Sequence, residues 1–443
     1  MNLDELRADA SADRTDTVLL VLTDMQGRLQ GKRMTARHFL DEVVEHGAEA
    51  CNYLLAVDVD MNTVEGYAMS SWERGYGDFE MRPDIATLRR VPWHEGTALC
   101  LADIAWADHS PVAASPRQIL RRQIERLTER GWEAFAGTEL EFMVFDDTYE
   151  GAWDAGYRKL TPANRYNVDY SMLGTARVEP LIRRIRNSMM EAEMRVENSK
   201  GECNFGQHEI NFRYAPALRA ADEHVIYKNG AKEIAAQEGK AITFMAKYDE
   251  REGNSCHIHL SLRDLDGTPL FASDEDGMLE RFMAGILATL RELTLLLAPN
   301  VNSYKRFAVG SFAPTAVAWG VDNRTCALRV VGHGPSRRVE CRLAGADVNP
   351  YLAISALVAG GLHGIDHDLP LEPALEGNAY LSDKPRVPST LREASELFGA
   401  SPAAREGFGD EVVEHYLNNA RVELEAFDAA VTDWERFRGF ERL

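Results

Sequence analysis

The sequence predicts an α+β fold in which a small N-terminal β domain precedes a large catalytic domain. Three observations carry this. The chain has 443 residues, more than one ordinary small core organises. An apolar stretch at residues 16–24 reads as a buried strand near the start. From residue 116 onward, helical apolar stripes mix with short strands of period-two pattern. A boundary near residues 113–115 divides the chain into 1–112 and 113–443.

The elements follow in order. After the first strand comes a turn containing Gly27 and Gly31, and residues 50–110 read as irregular and rich in Gly, Asp and Trp. A loop-rich segment of that length is functional or interfacial in a compact protein. Ser115 is placed as an N-cap, Pro116 as the first helical residue and Gln118 as the partner in a capping box. Leu120, Ile124 and Leu127 then form one stripe, and Gly131 stops the helix. Further helices are expected at 278–297, 350–364, 389–398 and 411–437. There is no internal repeat and no low-complexity linker.

Composition excludes several classes of function. With 49 basic and 70 acidic residues the net charge is −21, which disfavours nucleic acid and anionic membrane surfaces as partners. Met1–Arg14 is acidic and lacks the apolar centre of a secretory signal. No apolar run approaches the roughly 20 residues that span a bilayer. The six cysteines are scattered without a CxxC pair, so reduced thiols and a cytoplasmic location are expected.

The chemistry is carried by four strands with charged residues on one face. Glu139 and Glu141 share a face in Ala136–Phe145, and Glu209 and Asn211 in His208–Tyr214. His257, His259 and Ser261 share one in Cys256–Leu262, and Arg338, Glu340 and Arg342 in Arg338–Leu343. Any one of these is the wet side of a half-exposed strand. All four together are too rich in Glu, His and Arg for that. If they converge, the carboxylates repel one another until divalent cations neutralise them, and oxygen-rich sets with an occasional imidazole suit Mg²⁺ or Mn²⁺. The arginines then hold phosphate or a substrate carboxylate. A glycosidase needs only two carboxylates. A zinc hydrolase is expected to show HExxH on a helix, whereas His257 and His259 lie on a strand pattern. With no Walker A loop and no GxGxxG after a strand, ATP binding requires another architecture.

Seven segments in order resemble the glutamine synthetase family: TDMQGRLQGKRM (23–34), GTELEFMVF (137–145), GECNFGQHEINF (201–212), GNSCHIHLSL (253–262), NVNSYKRF (300–307), DNRTCALRV (322–330) and RRVECRLAGADVNPYLA (337–353). The resemblance implies an N-terminal β-grasp domain and a glutamine synthetase-type catalytic domain with a curved antiparallel sheet. It implies that Glu141, Glu202 and Glu209 hold the metal beside glutamate, and that Glu139, His257 and Glu340 hold the metal bridging the ATP phosphates, with two to three Mg²⁺ or Mn²⁺ ions per site. Arg306 and Arg342 would bind glutamate, with backbone from Gly253. Arg324 and Arg329 would contact phosphates and act, with Glu340, in catalysis. Ser261, Tyr214 and His259 would meet the nucleotide. The implied reaction activates the γ-carboxylate of glutamate as γ-glutamyl phosphate, which an amine attacks. A dodecamer of two stacked rings is implied in the same way.

The departures bear on the amine. Members that use ammonium carry Glu in a Gly-Tyr-Glu-Ala-Pro flap; here the segment is Gly310-Ser311-Phe312-Ala313-Pro314. Their Asp-Gly-Ser-Ser loop is missing too, residues 57–66 reading VDVDMNTVEG. A phenyl ring offers an apolar wall or a cation–π face to an alkylammonium, and Trp319–Thr325 also resembles the γ-glutamyl–polyamine ligase branch. The expected amine is therefore organic: a polyamine, a monoamine or ethanolamine. The alternatives are an ordinary glutamine synthetase and a non-catalytic assembly of the family. Glu252 stands where an Asn that binds glutamate is expected, and Tyr380 keeps the tyrosine of an adenylylation loop without its surroundings.

Overall fold

The computed structural model describes residues 1–273 and 276–443. Two sheets organise them. The first has six strands: β1 (Thr17–Thr23), β2 (Leu29–Thr35), β3 (Ala48–Cys51), β4 (Asp78–Pro83), β5 (Arg89–Arg90) and β6 (Thr97–Ala105). Their order is β2-β1-β6-β4-β3, with β5 also on β6. β6 runs parallel to β1 and antiparallel to β4. The stretch 50–110 is thus not loop throughout. β6 reads TALCLADIA and is buried along nearly its whole length, so it shows no alternation. A strand covered on both faces is a continuous apolar run rather than a period-two pattern.

The second sheet has nine strands: β7 (Trp132–Phe145), β8 (Val196–Gly201), β9 (Gln207–Phe212), β10 (Ala215–Pro216), β11 (Ala241–Thr243), β12 (Cys256–Asp264), β13 (Trp319–Val321), β14 (Leu328–Val331) and β15 (Arg338–Cys341). The order is β13-β14-β15-β12-β7-β9-β8, with β10 and β11 on the ends of β7. Its pairs are antiparallel except β13 with β14 at the edge. The apolar residues alternating with the charged ones, among them Leu140, Phe142, Ile210, Ile258 and Leu260, are buried in the larger core. Helices Pro116–Thr128, Ala217–Gln237 and Pro350–Asp366 close that side. A second core joins the first sheet to the C-terminal helices, with Leu20, Phe39 and Met81 beside Leu352, Phe398 and Val413.

Several expected helix limits move. Ser115 makes no side-chain cap. The start of that helix is instead held by Arg117, buried between Asp84, Asp103 and Asp222 at 2.6–2.9 Å. The helix expected at 278–297 breaks into Met278–Thr289 and Thr294–Leu297. Thr289 and Thr294 turn their hydroxyls back onto the carbonyls of Gly285 and Leu290, at 2.9 and 2.6 Å, which competes with continuation. The last helix ends at Ala429, and Thr432 caps a new one over Asp433–Gly439. Helix Met278–Thr289 crosses Pro350–Asp366 at two glycines. A Cβ on Gly285 would lie 2.1 Å from the Gly360 carbonyl oxygen, so only glycine permits this approach. All six cysteines are unpaired. Among the described residues, no helix is long and apolar enough to cross a membrane.

Candidate active site

Strand register gathers the charged residues. Between β7 and β12, Glu139 lies opposite His257 and Gly137 opposite His259. Between β7 and β9, Glu139 lies opposite Asn211 and Glu141 opposite Glu209. On the other flank, Glu340 of β15 lies opposite His259 and Arg329. Opposed Cβ atoms in antiparallel pairs sit about 5 Å apart, so period-two residues on separate strands become rows across one face. That face is not wet: Glu141, Glu209 and Glu340 are only 8%, 2% and 1% exposed.

One group forms around Glu139. His257 Nδ1 lies 3.1 Å from Glu139 Oε2 and 3.7 Å from Glu340 Oε1, and His259 Nε2 lies 2.9 Å from Glu139 Oε1. Burial, reinforced by the Arg342 charge, pulls His257 down to about 4, so at neutral pH it is an uncharged imidazole. Burial works against ionising Glu139, but hydrogen bonds from the two histidines outweigh it and hold the carboxyl well below its ordinary range. Burial likewise opposes ionisation of Glu340, and the neighbouring His257 and Arg342 overcome it. Arg329 donates to Glu340 Oε2 at 2.9 Å, and Arg342 donates to Oε1. Arg338 donates from Nε to His259 Nδ1 at 3.1 Å.

The second group is Glu141, Glu202 and Glu209, which offer ligand atoms within 4.8 Å of one another. Glu139, His259 and Glu340 meet the same distance, and His257 reaches the same two carboxylates. Burial first, then mutual repulsion, raises the pKa of all three glutamates in the second group. Lys200 pairs with Glu202. Lys200, together with the Arg306 charge that reaches Glu141, still leaves the three carboxylates with negative charge that a hard divalent cation would neutralise. Carboxylate oxygens with an imidazole suit Mg²⁺ or Mn²⁺, so these residues fit the ions the sequence implies.

The arginines expected to bind substrate border these groups. Arg306 is buried and donates from Nη2 to the carbonyls of Arg342 and Ala344 at 2.9 and 2.7 Å. Among the described residues its Nε and Nη1, and Nε of Arg342, have no partner. Buried donors without acceptors are rare and point to something absent that accepts them. Gly253 sits against Arg306: a Cβ there would meet the Ala246 carbonyl at 2.2 Å and Arg306 Cγ at 2.9 Å. Tyr214, His259 and Ser261 line one cavity of about 570 Å³ that also reaches Glu139 and Arg338. Two expected residues are not gathered. Arg324 is exposed on the turn between β13 and β14. Phe312 is 56% exposed with a left-handed φ of 58°. Its flap begins just after Arg306, whose carbonyl accepts from Ser311, and Tyr380 donates to the Ala313 carbonyl at 3.0 Å.

Supporting residues escaped the sequence reading. Ser255 donates to both oxygens of Glu141, from its amide at 2.7 Å and its hydroxyl at 2.6 Å, and Gln207 adds a bond at 3.0 Å. Asp322 holds Arg329 by its Nε at 3.0 Å. Arg263 donates to the Tyr214 hydroxyl at 3.0 Å and lies over the Phe135 ring. Lys200 and Arg263 were within reach of the period-two pattern, two residues from Glu202 and Ser261; Ser255 and Gln207 carry no such signal.

Known proteins place the chain in a family. The family described as glutamine synthetase, catalytic domain, matches residues 113–438. A gamma-glutamylethanolamide synthetase, GlnA4, of Streptomyces coelicolor is 67% identical over 446 aligned residues, covering 100% of this chain and 96% of its own. A glutamate–isopropylamine ligase of a Pseudomonas species is 39% identical, covering 96% and 94%. A solved structure titled as a GmaS/ADP complex superposes with a TM-score of 0.87 at 25% identity, over 98% of this chain and 99% of that one. With its two sheets, its rows of carboxylates and imidazoles and these relatives, the chain belongs to the glutamine synthetase family of ligases.

Proposed function

We propose that this enzyme joins the γ-carboxylate of L-glutamate to a small organic amine, with ethanolamine the first candidate, using ATP and passing through γ-glutamyl phosphate. The observation that carries the choice of amine is Phe312, which replaces a carboxylate in a flap anchored beside the buried Arg306. An aromatic ring receives an alkylammonium by its face and offers no base to ammonium. The relatives named for ethanolamide and isopropylamine products point the same way.

In this reading Arg306 and Arg342 grip glutamate with their unpartnered donors. The cavity bordered by Tyr214, His259 and Ser261 takes the nucleotide, its aromatic edge of Phe135 and Tyr214 against the base. Arg329 and Arg324 face the phosphates, Arg324 after its turn folds inward. Glu141, Glu202 and Glu209 on one side, and Glu139, His257 and Glu340 on the other, would hold two to three Mg²⁺ or Mn²⁺ ions, which neutralise the triphosphate and polarise the transferring group. A γ-carboxylate oxygen of glutamate attacks the γ-phosphorus and ADP leaves. The bound alkylammonium first gives up one proton to solvent; the free amine nitrogen then attacks the acyl carbon, loses a second proton, and inorganic phosphate departs. The same reading divides the chain at 112/113 into a β-grasp domain and a catalytic domain, and assembles it as a dodecamer in the cytoplasm.

The test is phosphate release with ATP, Mg²⁺ and glutamate across ammonium, methylamine, isopropylamine, ethanolamine, putrescine and spermidine, with product masses. Turnover concentrated on ethanolamine or a monoamine supports the proposal. Preference for putrescine or spermidine moves the amine to the polyamine class. Strong turnover with ammonium overturns it in favour of ordinary glutamine synthesis.

A further inference from the structure

Outside the active-site face, helix Pro350–Asp366 ends in a second arrangement of ligand-type side chains. His363 lies in its last turn and His367 is its C-cap. Residues four apart share a helix face, and the two rings stand with centroids 4.2 Å apart. Glu406 approaches from helix Pro402–Phe408, with its Oε2 3.1 Å from His363 Nδ1. One ligand atom from each of the three lies within 4.8 Å of the others. His367 Nδ1 is 2.9 Å from the His363 carbonyl oxygen. That contact sets the tautomer: Nδ1 carries the proton and donates, leaving the Nε2 lone pair free for an ion.

We propose that His363, His367 and Glu406 bind one zinc-class transition-metal ion, Zn²⁺ first, separate from the Mg²⁺ or Mn²⁺ positions of the active site. Two imidazoles and one carboxylate favour zinc, nickel or copper over magnesium, which prefers oxygen throughout. Tetrahedral zinc bonds of about 2.0–2.1 Å place neighbouring ligand atoms about 3.3 Å apart. The His363–Glu406 separation of 3.1 Å already matches, and His367 offers a ligand atom within 4.8 Å of both. Of the nearby cations, Arg130 is engaged by Asp366 at 2.8 and 2.9 Å, while Arg126 bonds Gln123 at 2.9 Å and its charge also reaches Glu406. Three protein ligands leave a fourth position for water. The ion would tie the end of Pro350–Asp366 to Pro402–Phe408.

The experiment uses the untagged full-length chain, stripped with a chelator and returned to excess Mg²⁺ so that the active-site carboxylates are engaged. Zinc is titrated against a competing zinc indicator, and Tm is read with and without zinc. Wild type is expected to bind one more zinc per chain than His367→Ala or Glu406→Gln, and to gain a zinc-dependent rise in Tm that both variants lose, while all three release phosphate equally in Mg²⁺. His363 is partly buried and its removal loosens the helix end, so the two exposed positions carry the decision. If His367→Ala and Glu406→Gln bind as many zinc equivalents as wild type, the site is overturned.

Discussion

Replacing Arg306 by lysine will weaken glutamate binding while leaving ATP binding in place. The guanidinium is buried, spends Nη2 on the carbonyls of Arg342 and Ala344, and keeps Nε and Nη1 unpartnered. Lysine has one nitrogen to serve both ends. If its ammonium stays with the carbonyls, the substrate carboxylate loses a charge-assisted bond worth about 2 kcal/mol. At 1.4 kcal/mol per decade this is about 30-fold in KM for glutamate. If it moves toward the substrate instead, a buried carbonyl is stranded at about 1–3 kcal/mol, and the cost appears as lowered Tm. The assay varies glutamate at saturating ATP and amine, then varies ATP at saturating glutamate, with a thermal melt of each protein. An unchanged KM for glutamate together with an unchanged Tm would refute the assignment, because the structure allows one of the two to be spared but not both.

Glu340→Gln keeps the volume but removes the charge that Arg329 and Arg342 share; phosphate release should fall about 100-fold or more, and wild-type turnover would dismiss Glu340 from the reaction. Phe312→Glu should move the ratio of ammonium to ethanolamine turnover upward by about tenfold, and an unmoved ratio would show that the flap does not choose the amine. Tyr380→Phe removes the bond to the Ala313 carbonyl, worth about 1 kcal/mol; KM for the amine should rise about fivefold while that for glutamate stays, and the reverse pattern would detach Tyr380 from the flap. The chelated protein should lose stability as pH rises. Glu141, Glu202 and Glu209 have folded pKa values above their ordinary 4.5, so the folded state holds more protons than the unfolded one in that window, and their stabilisation is complete below 4.5 and lost as pH passes upward through the folded values. Glu139 and Glu340, held low, act oppositely and only at more acid pH. A Tm that stays flat from pH 5 to 8 in chelator, or a slope that Mg²⁺ leaves untouched, would contradict mutual repulsion as the cause.

Much of the site was legible because a strand converts sequence spacing into geometry without help from elsewhere. Residues two apart share a face whatever the register, so Glu139 with Glu141, and His257 with His259, had to point together. Charged residues alternating with fully buried ones also announced which face met the core. Other features depend on contacts between distant segments. β6 is buried on both faces and therefore carries no alternation. The break before Thr294 arises from hydroxyls competing for helix carbonyls, a choice that the apolar pattern of 278–297 does not encode. Ser255 serves Glu141 from the residue just before β12, and a lone serine has no periodicity to reveal it.

The two carboxylate groups also differ in how far the protein itself satisfies them. Around Glu340 and Glu139 two arginines and two imidazoles already supply donors, so that flank is nearly balanced. Around Glu141, Glu202 and Glu209 there are Ser255, Gln207, Asn211, one lysine and the more distant charge of Arg306, and the pKa values stay high. A fold gains nothing in stability from three buried carboxylates left in that state, since each costs free energy without a partner. The imbalance is understandable if the missing charge arrives with the reactants: a cation on the Glu141 side, and on the Glu340 side a triphosphate that replaces Glu340 as the acceptor for Arg329. Likewise, among the described residues Arg306 leaves buried donors unused, where a substrate carboxylate would accept them. The face is folded around charges that it does not itself contain.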